Sequence, residues 1–135
     1  MQEIRMKAFA VDEVSPFSGR IIPRAVAERA INEYNEEFVS QRRAFGECGQ
    51  SQDHDSTEIH LSNVSHLVTS IQIEGNDVMV NAEILDTPMG IKVQEMLTKK
   101  VPLRIGYRGI GYVEDTTVKD DGFTLISFDI IPKVI

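Results

Sequence analysis

Leu103-Arg104-Ile105-Gly106-Tyr107-Arg108-Gly109-Ile110-Gly111 is the stretch on which the fold turns. It alternates like a strand, yet it holds three glycines within six residues. Glycine weakens a strand unless the backbone bends or another chain segment approaches closely. A sharply curved sheet or small barrel supplies that reason. Residues 122–131 are also strand-like, joined to this stretch by the polar run Glu114 to Gly122.

Upstream, Thr87 reads as an N-cap with Pro88 at the first helical position, and Val93, Met96 and Leu97 give a short helix its apolar side. Pro102 is expected to end it. Val64–Ile73 and Asp77–Leu85 read as two extended runs joined at Glu74-Gly75-Asn76-Asp77, where Gly75 and Asn76 tolerate the positive φ of a tight hairpin. Residues 49–58 contain almost nothing to bury and read as an exposed loop. Ala27, Ile31, Tyr34 and Phe38 recur at helical steps after Pro23, which predicts an amphipathic helix over about 23–39 with Glu28, Glu33, Glu36 and Glu37 on a solvated face. Residues 3–10 alternate charged and apolar side chains, the pattern of a half-buried strand. Strands joined by short turns pair antiparallel. The prediction is an α+β fold: a bent, mainly antiparallel sheet or small barrel with two flanking helices, forming a single domain over residues 1–135.

The chain has 135 residues and a net charge of −7. Nucleic acid is not an expected partner, because phosphate binding needs clustered Lys and Arg, and only Arg42–Arg43 and Lys99–Lys100 are adjacent. No apolar run has membrane-spanning length, so no membrane association is expected. The single cysteine, Cys48, excludes an internal disulfide.

Several stretches, taken in order, resemble the prohead maturation proteases of tailed (T-even-type) phages. Ala44-Phe45-Gly46-Glu47-Cys48-Gly49-Gln50 is similar to the family's Gly-Glu-x-x-His segment. Asn63-Val64-Ser65-His66, Glu74-Gly75-Asn76-Asp77-Val78 and Glu83-Ile84-Leu85-Asp86-Thr87-Pro88-Met89-Gly90 resemble its central hairpin and the turn into its second helix. Residues 103–111 resemble its Gly-x-Ser-Ser-Arg-Gly-x-Gly strand, and Arg20-Ile21-Ile22-Pro23 its approach to the first helix. The resemblance implies the herpesvirus-assemblin class of serine protease, with a serine nucleophile, a histidine base and backbone amides at Arg108 and Gly109 as oxyanion donors.

The residues at those positions cannot do this chemistry. The alignment puts Gly106 at the nucleophile and Tyr107 at the second family serine. Glycine has no attacking group, and an unperturbed phenol titrates near pH 10. Gln50 stands at the base position, and its amide cannot take up and return a proton. His54, four residues on, is the candidate substitute base, against the plainer reading of a solvated loop histidine between Asp53 and Asp55. His60 and His66 are read as a strand start and a structural turn. Ser65 and His66, as neighbours on an extended segment, should point to opposite faces and not pair. Cys48 reads as inert packing, and Arg108 as a structural cation facing a carboxylate such as Glu47. No metal or other cofactor is expected.

The implied function is a non-catalytic protease-fold protein of a phage head, a decoration or cement protein or a core component. It would be assembled in the host cytoplasm and carried in the virion. Phage capsid or scaffold proteins are the expected partners, with self-association possible through sheet edges. The hydrophobic tail Ile130–Ile135 reads as a last core strand, with a segment that docks on a partner as the alternative. The alternatives are a divergent active maturation protease using His54, and a pseudo-enzyme that regulates an active protease.

Overall fold

The computed structural model describes residues 2–16, 18–48, 57–119 and 122–132. The elements run β1 (Gln2–Ala10), α1 (Arg24–Tyr34), a π-helical turn (Asn35–Val39), β2 (Phe45–Glu47), a 3-10 turn (Leu61–Asn63), β3 (Val64–Glu74), β4 (Asp77–Ile84), α2 (Pro88–Thr98), β5 (Leu103–Ile110), β6 (Val113–Glu114), β7 (Thr117–Val118) and β8 (Thr124–Pro132).

Four strands form an antiparallel sheet in the order β1-β4-β3-β2, and β5 pairs antiparallel with β8. The two units curl toward a small barrel. On one side Cys48 and Ile130 form a parallel bridge that brings β2 against β8. On the other, the rings of Phe9 in β1 and Tyr107 in β5 lie 5.1 Å apart. Alternation decides what fills the interior. Val78, Val80, Ala82 and Ile84 of β4 are all buried, whereas Met79, Asn81 and Glu83 face outward beside Lys7, Arg5 and Glu3 of β1.

The first helix buries Val26, Ala27, Ala30, Ile31 and Tyr34, and Tyr34 meets Phe128 of β8 edge-on at 5.4 Å. Its predicted span is correct, but the last turn is π-helical, with Ser40 N–H donating to Asn35 O five residues back. The second helix is capped as expected: Thr87 Oγ1 accepts from Gly90 N at 3.0 Å and donates to Val64 O. It ends at Thr98, before Pro102, because Lys100 takes a left-handed conformation (φ 58°) that no helix continues.

Gly75 occupies the first turn position of the β3–β4 hairpin at φ 64°. Two departures from expectation stand out. The run after Gly111 is not unstructured: Val113–Glu114 and Thr117–Val118 form a small hairpin, and Thr117 bridges Ile21. His66 is not at a turn but within β3, fully buried. In β5 the register shifts between Arg108 and Gly109. A Cβ on Gly109 or Gly111 would stand 3.0 Å from Phe123, so these glycines let the bent strand close on that ring.

Candidate functional site

The antiparallel pairing of β5 and β8 places Gly106 opposite Asp129 and Arg108 opposite Ser127. Paired residues share a face, as do residues two apart, so Gly106, Arg108, Ser127 and Asp129 all project to one side of the ribbon. That side is covered by β2 and the chain leading into the 3-10 turn.

Arg108 is the centre of this face. Its Nε donates to Asp129 Oδ2 at 2.7 Å and its Nη2 to Glu47 Oε2 at 2.6 Å, while Nη1 reaches Glu58 O at 3.0 Å. All three charged side chains are almost wholly excluded from water. The carboxylates are further committed. Asp129 Oδ1 accepts from Glu47 N and Ser127 Oγ, and Glu47 Oε1 from Asn63 Nδ2. Burial works against the charge on Arg108, but Asp129 and Glu47 outweigh it and hold its pKa above the ordinary arginine range. The expected Arg108–Glu47 contact is therefore present. Asp129 is its unforeseen second partner.

His60, half-exposed, sits at the rim with Nδ1 3.5 Å from Glu47 Oε1 and Nε2 3.5 Å from Glu58 Oε2. One guanidinium thus faces two buried carboxylates, with an imidazole at the mouth. Such a cluster fixes geometry, and its members are expensive to remove singly.

Gly106 is only partly buried, and a Cβ built there would meet Arg104 Nη1 at 3.1 Å and Ile131 Cδ1 at 3.3 Å. Both are ends of flexible side chains, so the position accepts a small side chain. Tyr107 points to the opposite face. Its ring packs against Phe9 at 5.1 Å and Phe123 at 6.4 Å, and burial raises its phenol pKa despite a hydrogen bond with Ser18 and the charge of Arg20. It is a packing residue, further from ionisation than a free tyrosine. Gln50 and His54 lie outside the described residues.

Ser65 and His66 correct the sequence reading. Ser65 Oγ is 2.7 Å from His66 Nδ1, and both residues are fully buried. The register between β2 and β3 shifts between Gly46 and Glu47, opposite Ser65, and Gly46 leaves its Cβ site empty for the imidazole to lie across. The ring thereby reaches back along the strand to its neighbour. Its Nε2 stands 2.7 Å from Phe128 O. A carbonyl only accepts, so Nε2 carries the proton and Nδ1 receives that of Ser65. Burial lowers the pKa of His66, although Phe128 O and Asp129 favour its charged form. This is a serine–histidine contact without solvent access, and it ties the four-stranded sheet to the β5–β8 ribbon.

Cys48 is buried, as its packing reading requires. Among the described residues no group of three or more His, Cys, Asp or Glu side chains could hold a metal ion, and no helix is long and apolar enough to cross a membrane.

Asp129 and Ser127 are site residues that no motif in the sequence singles out. Their signal is the run Leu125-Ile126-Ser127-Phe128-Asp129-Ile130, where two polar residues two apart interrupt an apolar strand and so share a buried face.

The fold is similar to that of the bacteriophage T4 capsid assembly protease. The likeness has a TM-score of 0.87 at 21% identity and covers 97% of this chain and 81% of that one. No curated protein sequence matches the chain. Residues 3–130 match the family described as prohead core protein serine protease. With that match spanning nearly the whole chain, and with the order of strands and helices its motifs predicted, the protein belongs to the prohead core protein serine protease family.

Proposed function

We propose that this chain is a member of the family that does not cleave peptide bonds and serves in the structure or assembly of a phage head. The observation that carries the reading is Gly106. By the resemblance of residues 103–111 to the family's Gly-x-Ser-Ser-Arg-Gly-x-Gly strand, it stands where that motif has its nucleophile, and the neighbouring groups are already engaged: Tyr107 in ring packing, Arg108 with both carboxylates, His66 with Ser65 and Phe128. A serine protease needs an exposed nucleophile within reach of a base. Ser65 and His66 have the contact without the exposure.

The reading extends to partners and place. Capsid or scaffold proteins are the natural ligands of a protease frame that has kept its shape, and the phage head, put together in the host cytoplasm, is where it would meet them. Arg20, Gly109, Ile110, Gly111, Tyr112 and Val113 line a cavity of about 450 Å³ at the end of β5. Tyr112 is 70% exposed, and Ile110 and Val113 are also open to solvent. An exposed apolar patch of this kind suits a protein partner.

Quantitative mass spectrometry of mature virions tests the role. A head component is found at full length in many copies. Absence from the particle, or recovery only as fragments beside processed capsid proteins, contradicts it and favours a maturation protease.

A further inference from the structure

The third strand is longer than the strand that covers it. β2 pairs with β3 only between Val64 and Leu67, and Val68 N–H is taken by Ala44 O at 2.9 Å. From Thr69 to Glu74, the edge of β3 away from β4 has no main-chain partner among the described residues. The hairpin determines which groups lie on it. Glu74 and Asp77 flank the two-residue turn Gly75–Asn76 and form its hydrogen-bonded closing pair. Hydrogen-bonded and non-bonded pairs alternate along an antiparallel ladder. Gln72–Met79 and Ser70–Asn81 are therefore bonded pairs, and the N–H and C=O groups of Ile71 and Ile73 point outward, away from β4.

Most exposed edges carry a device against pairing, such as lysine, proline or an inward charge. Ser70-Ile71-Gln72-Ile73-Glu74 has neither lysine nor proline. Its one charge, Glu74, points outward and is bound by Arg5 of β1.

We propose that this edge is a self-association site, at which a second copy of the chain adds its own β3 antiparallel about a two-fold axis through Gln72. The match is self-complementary. Ile71 of one copy meets Ile73 of the other, twice over, so that every outward main-chain group on these residues finds a partner. Gln72 faces its own copy, and Glu74 faces Ser70. In a chain of net charge −7, repulsion between copies is least where charge is absent or neutralised, and this segment meets that condition. The isoleucines continue the apolar inner face of the sheet across the axis. The contact is small, so the association is weak, with a Kd of roughly 10–1,000 μM. It stands apart from the catalytic reading, because an active or an inactive site leaves this edge unchanged.

Sedimentation equilibrium of the full chain, from about 10 μM to 1 mM, is the test. The wild type is expected to show a monomer–dimer equilibrium. Gln72→Lys and Gln72→Glu each set like charges opposite one another at the axis, and each should weaken association about fivefold. Mixing the two variants in equal amounts should restore it, with the mixed dimer seen by native mass spectrometry. Position 72 is exposed, so both variants should fold, as far-UV circular dichroism would verify. A wild type that stays monomeric up to about 1 mM overturns the proposal. So do variants that each dimerise as the wild type does, or a mixture that associates no better than either alone.

Discussion

Gly46 and His66 face each other across β2 and β3, and the imidazole fills the space that a side chain at position 46 would need. A Cβ there would stand 2.0 Å from His66 Nε2 and 2.2 Å from Phe128 O. The glycine of the Gly-Glu segment is thus the seat of the histidine that joins the two sheets. Gly46→Ala forces out the ring or the strand behind it and should cost about 3 kcal/mol or more. At Gly106, where only flexible side-chain ends must yield, Gly106→Ala should cost less than about 1 kcal/mol. Paired urea denaturations measure both.

Arg108 neutralises two carboxylates that have no access to water. Arg108→Met leaves Glu47 and Asp129 buried together without a cation, and should destabilise the fold by about 3–5 kcal/mol. Replacing Arg108, Glu47 and Asp129 together with apolar residues of similar volume should recover much of that loss. A triple variant no more stable than Arg108→Met would show that the cluster does more than balance its own charges.

His66 gives the protein a pH dependence of known sign. Its folded-state pKa lies below the ordinary histidine value, so the unfolded chain binds the proton more readily. Stability from this residue is complete above about pH 6.5 and is lost as pH falls below that value, by at most about 1.4 kcal/mol per pH unit. Thermal melts between pH 7.5 and 5.5 should show the decline, and His66→Gln should flatten it while lowering stability throughout.

Tyr34 buries a hydroxyl that has no hydrogen-bond partner among the described residues, and burial beside Asp129 raises its pKa. The hydroxyl earns nothing in the folded state, so Tyr34→Phe should be neutral or stabilise by up to about 1 kcal/mol. Tyr34→Ala removes the ring packed on Phe38 and Phe128 and should cost about 3–5 kcal/mol. Chemical denaturation of the two variants separates the ring from its oxygen.

The long strands, both helices and the bent β5 were legible because each rests on local rules: alternation in β1 and β4, the Thr87 cap, the Gly75 turn; the short β6–β7 hairpin was not. The Arg108–Glu47 pair was legible too, through family motifs brought together in order. Asp129, Ser127 and the Ser65–His66 contact were not. Each depends on which strands meet across the barrel and on a register shift beside Gly46, and neither property is written in a single strand. The rule that strand neighbours face apart failed at His66 because a residue without a side chain lay beneath its ring.

The proposed non-catalytic role requires that no residue of this chain act as a serine-type nucleophile. Intact-mass spectrometry after prolonged exposure of the folded protein to a fluorophosphonate probe tests it most directly. The expected result is an unmodified mass for the wild type. A stoichiometric adduct on the native protein, lost on heat denaturation and abolished by Ser65→Ala or His54→Ala, would contradict it.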